Sequence, residues 1–224
     1  MGTVTLNKHN RLFWLGRYAE RVYQGVETIH KIQDQAIDGE PINLEEISKK
    51  MGVSNKFESV EDFCIRMCFD RKIPESILCA ADAMLGNGMV LREILGSQTL
   101  SYLQMAVSAL ESASNSSSPA VQFQWVLDDI MAFRGSYAEF IESEEIRNTI
   151  KSGASIERIS SMIRLNFDQK LLKKEIHKLM NRLYKTNVKH SDESLDAIKE
   201  FAFNEEESFD SFKLLCSVET LFLI

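Results

Sequence analysis

A glycine followed four residues later by glutamate and arginine occurs twice in the chain, as Gly16 with Glu20-Arg21 and as Gly153 with Glu157-Arg158. A glutamate can carry a proton, and the arginine fork grips carboxylates and phosphates through paired hydrogen bonds. Neighbouring residues on a helix point about 100° apart, so Glu20 is not aimed at Arg21 and each needs a partner on another element. With the nearby bases and acids, the candidate set is Arg17, Glu20, Arg21, Arg92, Glu93, Glu157 and Arg158. Two chemistries fit it. In the first, the charges are buried ions that fix how two halves of the chain dock; a pseudo-twofold relation would let Glu20 meet Arg158 and Arg21 meet Glu157, and the local alternative for Glu20 is Arg17, one turn earlier. In the second, Arg17, Arg21, Arg92 and Arg158 bind an anion while Glu20 or Glu157 handles a proton. The first asks less of the sequence and is the preferred expectation.

Other patterns carry less. Glu27-Thr28-Ile29-His30 has the E-x-x-H spacing of di-iron bundles, but such a site needs a second copy, and the repeat places Asn166-Phe167 where Ile29-His30 stood. No metal site and no cofactor is expected. His9, His177 and His190 are scattered, and Cys64 and Cys68, one helical turn apart among Phe63, Ile65 and Phe69, read as core thiols. The segment Leu44 to Ser54 imitates the start of a helix-turn-helix, which makes a DNA-binding regulator a second alternative. Against it, the following stretch sets Glu58, Glu61, Asp62 and Asp70 against Lys56 and Arg66, a balance that repels phosphates. Neither a glycine-rich phosphate loop nor a Ser/His/Asp arrangement is visible.

Helices must position these residues, because almost every stretch between the three prolines and ten glycines has a 3.6-residue apolar period. The fold class expected is all-α, a helical bundle of two pseudo-repeated halves packed as one body. Leu12, Leu15, Ala19, Val22, Val26 and Ile29 form one stripe, which predicts a first helix from His9 to Ile37. Further helices are expected at 44–51, 60–69, 75–86, 90–112 and 120–136, then one or two around 139–165, a basic helix and a final helix. Superimposing the two glycine copies lays Ala19, Val22 and Val26 on Ile156, Ile159 and Ile163, so the apolar stripe repeats with the charges. The polar, proline-ended stretch 115–119 is the expected linker between an N-terminal repeat, 1–114, and a C-terminal repeat, 120–224.

At 224 residues the chain is long enough to bury a core without staples. Four cysteines without a C-x-x-C pair, no secretory leader and no apolar run long enough to span a bilayer point to a soluble cytoplasmic protein with reduced thiols. The net charge of −7 is uneven. Residues 170–189 are strongly basic and 191–210 strongly acidic, which predicts antiparallel helices facing one another; the acidic neighbour makes nucleic acid an unfavourable partner. The apolar end Leu221-Phe222-Leu223-Ile224 is expected to dock on the bundle.

The opening Arg11-Leu12-Phe13-Trp14-Leu15-Gly16-Arg17-Tyr18-Ala19-Glu20-Arg21 resembles, nearly residue for residue, the signature of the Alpha-E family of all-helical bacterial domains of unknown function. Asp70 to Ile77 is similar to a second family element, with Ile73 where asparagine is usual, and Asn87 with Arg92-Glu93 to a third. Gly135 and Gly153 match the spacing that precedes the family's second Glu-Arg helix. The chain departs from the pattern at Leu85, Met89 and Ala154, where arginines are usual. Relatives are encoded beside ATP-grasp ligases and transglutaminase-like proteins. The resemblance therefore implies a non-catalytic scaffold or accessory in peptide or amide-bond modification, with a protein of one of those types as partner. An enzyme using the Arg/Glu set on an anion is the alternative.

Overall fold

The computed structural model describes residues 6–54, 56–116, 119–204 and 209–223. Among them the regular structure is helical, apart from one isolated antiparallel bridge between His190 and Phe222. The chain divides into two compact units, one made of Tyr18–Ile141 and the other of Met1–Arg17 with Glu142–Ile224. The first helix, α1 (Leu6–Ile37), runs through the division and contributes to both.

The middle unit adds α2 (Leu44–Met51), α3 (Val60–Phe69), α4 (Ile77–Val90), α5 (Arg92–Ala113) and α6 (Ala120–Phe140). Asn43, Ser59 and Ser76 start α2, α3 and α4 by accepting a hydrogen bond from a backbone N–H three residues on, which satisfies a donor the helix cannot. Gly96, at φ 74°, breaks α5 after its first turn. Phe63, Met67, Met84, Leu103, Leu110, Phe123, Ile130 and Phe133 fill the core together with Val22, Val26 and Ile29 of the α1 stripe. The helix-turn-helix expectation fails on geometry. Gly52 does close α2 in the left-handed conformation, but residues 53–59 intervene before α3, where that motif uses a turn of about three or four residues.

The terminal unit gathers the first turns of α1 with α7 (Glu144–Arg164), α8 (Gln169–Leu183), α9 (Asp192–Phe203) and α10 (Ser211–Glu219). Phe13, Ile156, Ile159, Ile163, Leu172, Ile176, Leu179, Leu195, Ile198, Leu214, Val218 and Leu221 make one continuous core. Asn166, at φ 55°, ends α7 while the Phe167 N–H returns to the Met162 carbonyl, a left-handed stop that turns the chain into the Asp168 cap of α8.

The apolar end docks as expected: Leu221 is fully buried, the Leu223 N–H bonds to the Lys189 carbonyl at 2.9 Å, and Phe222 lies 5.1 Å from Phe13. Among the described residues the basic and acidic helices also meet, but through Leu172, Ile176, Leu195 and Ile198 rather than a facing row of charges. Lys173 reaches the Asn204 carbonyl where α9 ends and lies over the ring of Phe201, so the lysine complements a helix C-terminus. Glu205, Glu206 and Glu207 of the acidic run, Ser117 and Ser118 of the expected linker, Ile224 and the first five residues lie outside the described residues.

Candidate functional site

Gly16 and Gly153 touch each other's helices, and they do so reciprocally. A Cβ on Gly16 would lie 2.0 Å from the Ile150 carbonyl oxygen and 3.1 Å from the Ala154 nitrogen. A Cβ on Gly153 would lie 2.0 Å from the Phe13 carbonyl oxygen and 3.2 Å from the Arg17 nitrogen. Each glycine thus faces the carbonyl three residues before the other and the amide one residue after it. Only hydrogen fits there, so α1 and α7 cross backbone against backbone, in position for Cα–H···O contacts.

That closeness brings motif side chains together. Arg17, next to Gly16, directs Nε to Glu157 Oε2 at 2.9 Å, and its Nη2 stands 2.8 Å from the same oxygen. Its other face meets Glu219 of α10, at 2.8 Å from Nη1 and 3.2 Å from Nη2. The guanidinium carbon sits 4.9 Å from the centre of the Trp14 ring, and Arg164 adds a second cation to Glu219 at 3.3 Å. Arg17 is 5% exposed and Glu157 7%, so this is a buried, multiply hydrogen-bonded cluster.

Glu20 is buried deeper still, at 1% exposure. Its Oε2 accepts from Arg134 Nη2 of α6 at 2.7 Å, and its Oε1 from Gln24 at 2.9 Å. The Arg134 guanidinium lies 4.3 Å over the Tyr23 ring. Burial, and then the nearby Glu27 carboxylate, push the Tyr23 phenol above its ordinary value. Arg21 lies over Tyr18 at 5.6 Å. Arg158 stands 3.4 Å from Glu175 of α8, which also holds Lys178 at 2.6 Å. Burial raises Glu175, but the Lys178 hydrogen bond and the Arg158 charge outweigh it and hold that carboxyl below the usual range.

Arg92 and Glu93 occupy the first turn of α5 and are exposed, whereas Arg17, Glu20 and Glu157 are buried. Arg134, Glu219 and Glu175, and Arg164 behind Glu219, are partners that the motif's own spacing does not announce. Glu219 has a signal in the sequence, as an acid kept inside an otherwise apolar terminal segment, and Arg134 has a weaker one, directly before Gly135 of the family spacing. His30 packs its ring 5.5 Å from Phe123, and its Nε2 is buried without a hydrogen-bond partner among the described residues. No group of three His, Cys, Asp or Glu side chains able to hold a metal occurs among those residues. Cys64 and Cys68 are core thiols; burial pushes Cys64 up to about 11 and Cys68 further, helped by Cys64 beside it.

A family described as a predicted alpha-helical domain with a conserved ER motif, Alpha-E, matches residues 9–198, most of the chain. The chain belongs to the Alpha-E family. Both Glu-Arg pairs of this Alpha-E protein fall inside the match, as do the two crossing glycines. No curated protein and no solved structure matches it. No helix among the described residues is long and apolar enough to cross a membrane.

Proposed function

We propose that this Alpha-E protein is a non-catalytic helical scaffold or accessory of a system that forms or modifies peptide or amide bonds, with an ATP-grasp or transglutaminase-like protein as partner. The observation that supports the reading is the commitment of the motif charges to internal partners. Glu20, 1% exposed, has one oxygen on Arg134 and the other on Gln24, and Arg17 is shared between Glu157 and Glu219. A general base must reach the proton it removes, and an anion-binding arginine must offer its fork. The geometry also supports reading the two glycine-centred helices as copies of one unit, since each contacts the other through the same backbone positions.

Glu20→Gln separates this reading from the rival, an enzyme that uses Arg17, Glu20, Arg21, Arg92, Glu93, Glu157 and Arg158 on an anionic substrate. A structural Glu20 strands the Arg134 charge when neutralised, costing about 2 kcal/mol and lowering the melting temperature by about 4–8 °C. The partner's activity then falls only with the folded fraction. A chain that keeps its melting temperature but loses activity would establish the enzyme instead.

A further inference from the structure

Two outward helix faces, one in each compact unit, combine exposed apolar side chains with charge of opposite sign. On α6, Phe123, Val126, Ile130 and Phe133 are buried in the core of the middle unit, whereas Val121, Trp125 and Met131 are each about half exposed. With Asp128, the exposed three recur every three or four residues and so make one stripe along the helix, not scattered apolar positions. Asp128 accepts from Gln124 at 2.9 Å, Asp129 follows it, and neither forms an ion pair among the described residues. The cation of this helix, Arg134, is held by the buried Glu20.

On α8, Leu172, Ile176, Leu179 and Leu183 are buried in the terminal core, and Lys170, Lys173, Lys174, Lys178 and Arg182 outnumber Glu175 along the helix. Residues two apart on a helix point about 200° apart, so exposed Lys174 stands opposite Leu172 and Ile176, and the acidic α9, which packs on those two, lies on the far side of the helix from it. Leu171, about half exposed, and exposed His177 flank Lys174, and Tyr184, 80% exposed, stands at the helix end.

Neither face suits a copy of itself. Two α6 faces would set Asp128 beside Asp128, and two α8 faces would set lysine beside lysine, like-charge contacts that an interface disfavours. An α6 face laid on an α8 face sets carboxylate against ammonium, offers the Trp125 ring to a lysine head and stem, and covers apolar side chains on both sides. The two stripes also match in length, at about 15 Å from Val121 to Met131 and about 20 Å from Leu171 to Tyr184. We propose that the α6 face of one copy of this chain docks on the α8 face of a second copy, with Val121, Trp125 and Met131 against Leu171 and Tyr184 and with Asp128 facing the lysines around Lys174. The inference goes beyond the scaffold reading and shares no residue with the Glu-Arg set.

Sedimentation velocity and light scattering of the full chain, from low to high micromolar concentration, test it. The mass should rise with concentration and fall again with sodium chloride, because the pairing charges are exposed, and its plateau reports how many copies close the contact. Asp128→Lys sets lysine against lysine and Lys174→Asp sets aspartate against aspartate, so each variant alone should associate roughly tenfold more weakly or worse. Mixed together, the two should recover the parent's association, since every α6–α8 contact between unlike copies is again complementary. Recovery in the mixture also excludes misfolding as the cause of the loss. A chain that stays monomeric throughout, single variants that associate as the parent does, or a mixture that fails to recover would each overturn the contact. A monomer that binds phosphatidylserine vesicles through Lys174 would assign the α8 face to a membrane surface instead.

Discussion

Alanine at Gly16 puts the α1–α7 crossing to its most direct test. The new methyl would sit 2.0 Å from the Ile150 carbonyl oxygen, where a carbon–oxygen contact needs about 3.3 Å. The obstacle is helical backbone, with no rotamer to change, so the helices must separate by more than about 1 Å. Overpacking costs about 1–3 kcal/mol where side chains share the strain, and a backbone clash belongs at about 3 kcal/mol or above. For a chain of this size that lowers the melting temperature by about 6–12 °C. An ordinary helical glycine behaves in the opposite way, because alanine is favoured by about 1 kcal/mol in a helix interior. Gly86 and Gly135 are exposed helical positions with nothing within 4 Å of a built Cβ, so Gly86→Ala and Gly135→Ala should stabilise. The sign of the change therefore separates a crossing glycine from an ordinary one. Gly153→Ala should cost about as much as Gly16→Ala, since its built Cβ lies equally close to the Phe13 oxygen, and the double variant should cost less than the sum, because separating the helices for one methyl makes room for the other. Circular dichroism melts of the five variants decide it, and a Gly16→Ala protein as stable as Gly135→Ala would refute the crossing.

Three further outcomes follow from particular groups. Glu157→Gln leaves the buried Arg17 with Glu219 as its carboxylate at the crossing, and should destabilise by about 2–3 kcal/mol in chemical denaturation; an unchanged midpoint would show that the pair carries no weight. Glu175 has a folded pKa below its unfolded value of about 4.5, so its contribution is fully present above that pH and is lost as the pH falls through the folded value. Glu175→Gln should therefore flatten the acid limb of a stability–pH profile, and a limb of unchanged slope would count against the Lys178 and Arg158 pairing. With a maleimide under native conditions, exposed Cys216 should react first, while Cys64 and Cys68, both buried with thiols pushed up, should stay unmodified until unfolding.

The helices were legible because a 3.6-residue apolar stripe is a local property. Leu12, Leu15, Ala19, Val22, Val26 and Ile29 are all buried in the structure, as their spacing requires. Stops written by backbone chemistry were harder to read. Gly96 breaks α5 inside a continuous apolar pattern, and Asn166 closes α7 in a conformation that asparagine only sometimes adopts. The motif itself was legible as a spacing, whereas several of its partners were not. Arg134 and Glu219 lie more than a hundred residues from Glu20 and Arg17, and no periodicity links a charge to one that distant. The basic and acidic helices show the converse case. Their charge blocks predicted that they would meet, but a lysine on a helix terminus and an apolar seam make the contact, because exposed ion pairs contribute little beside buried leucine and isoleucine.

The spacing of the motif then has a physical reason. A glycine lets two helices approach until their backbones touch, and the residue four positions on lies one turn further along the same face. At Gly153 that residue is Glu157, which meets Arg17 beside Gly16, so close approach and burial of the ion pair arise from one crossing. If so, the strength of the pair should depend on the glycine contact. Arg17→Met keeps an apolar stem but strands Glu157, and Glu157→Gln removes one of the two carboxylates on the guanidinium. The double variant strands less than the two single variants together, so its cost should fall short of their sum by about 1–3 kcal/mol. Repeating that cycle with Gly16→Ala in place measures the same pair after the backbones have been forced apart, where a longer, wetter ion pair should show a smaller coupling. Equal couplings in the two backgrounds would mean that the glycine crossing and the ion pair are separate devices that happen to share two helices.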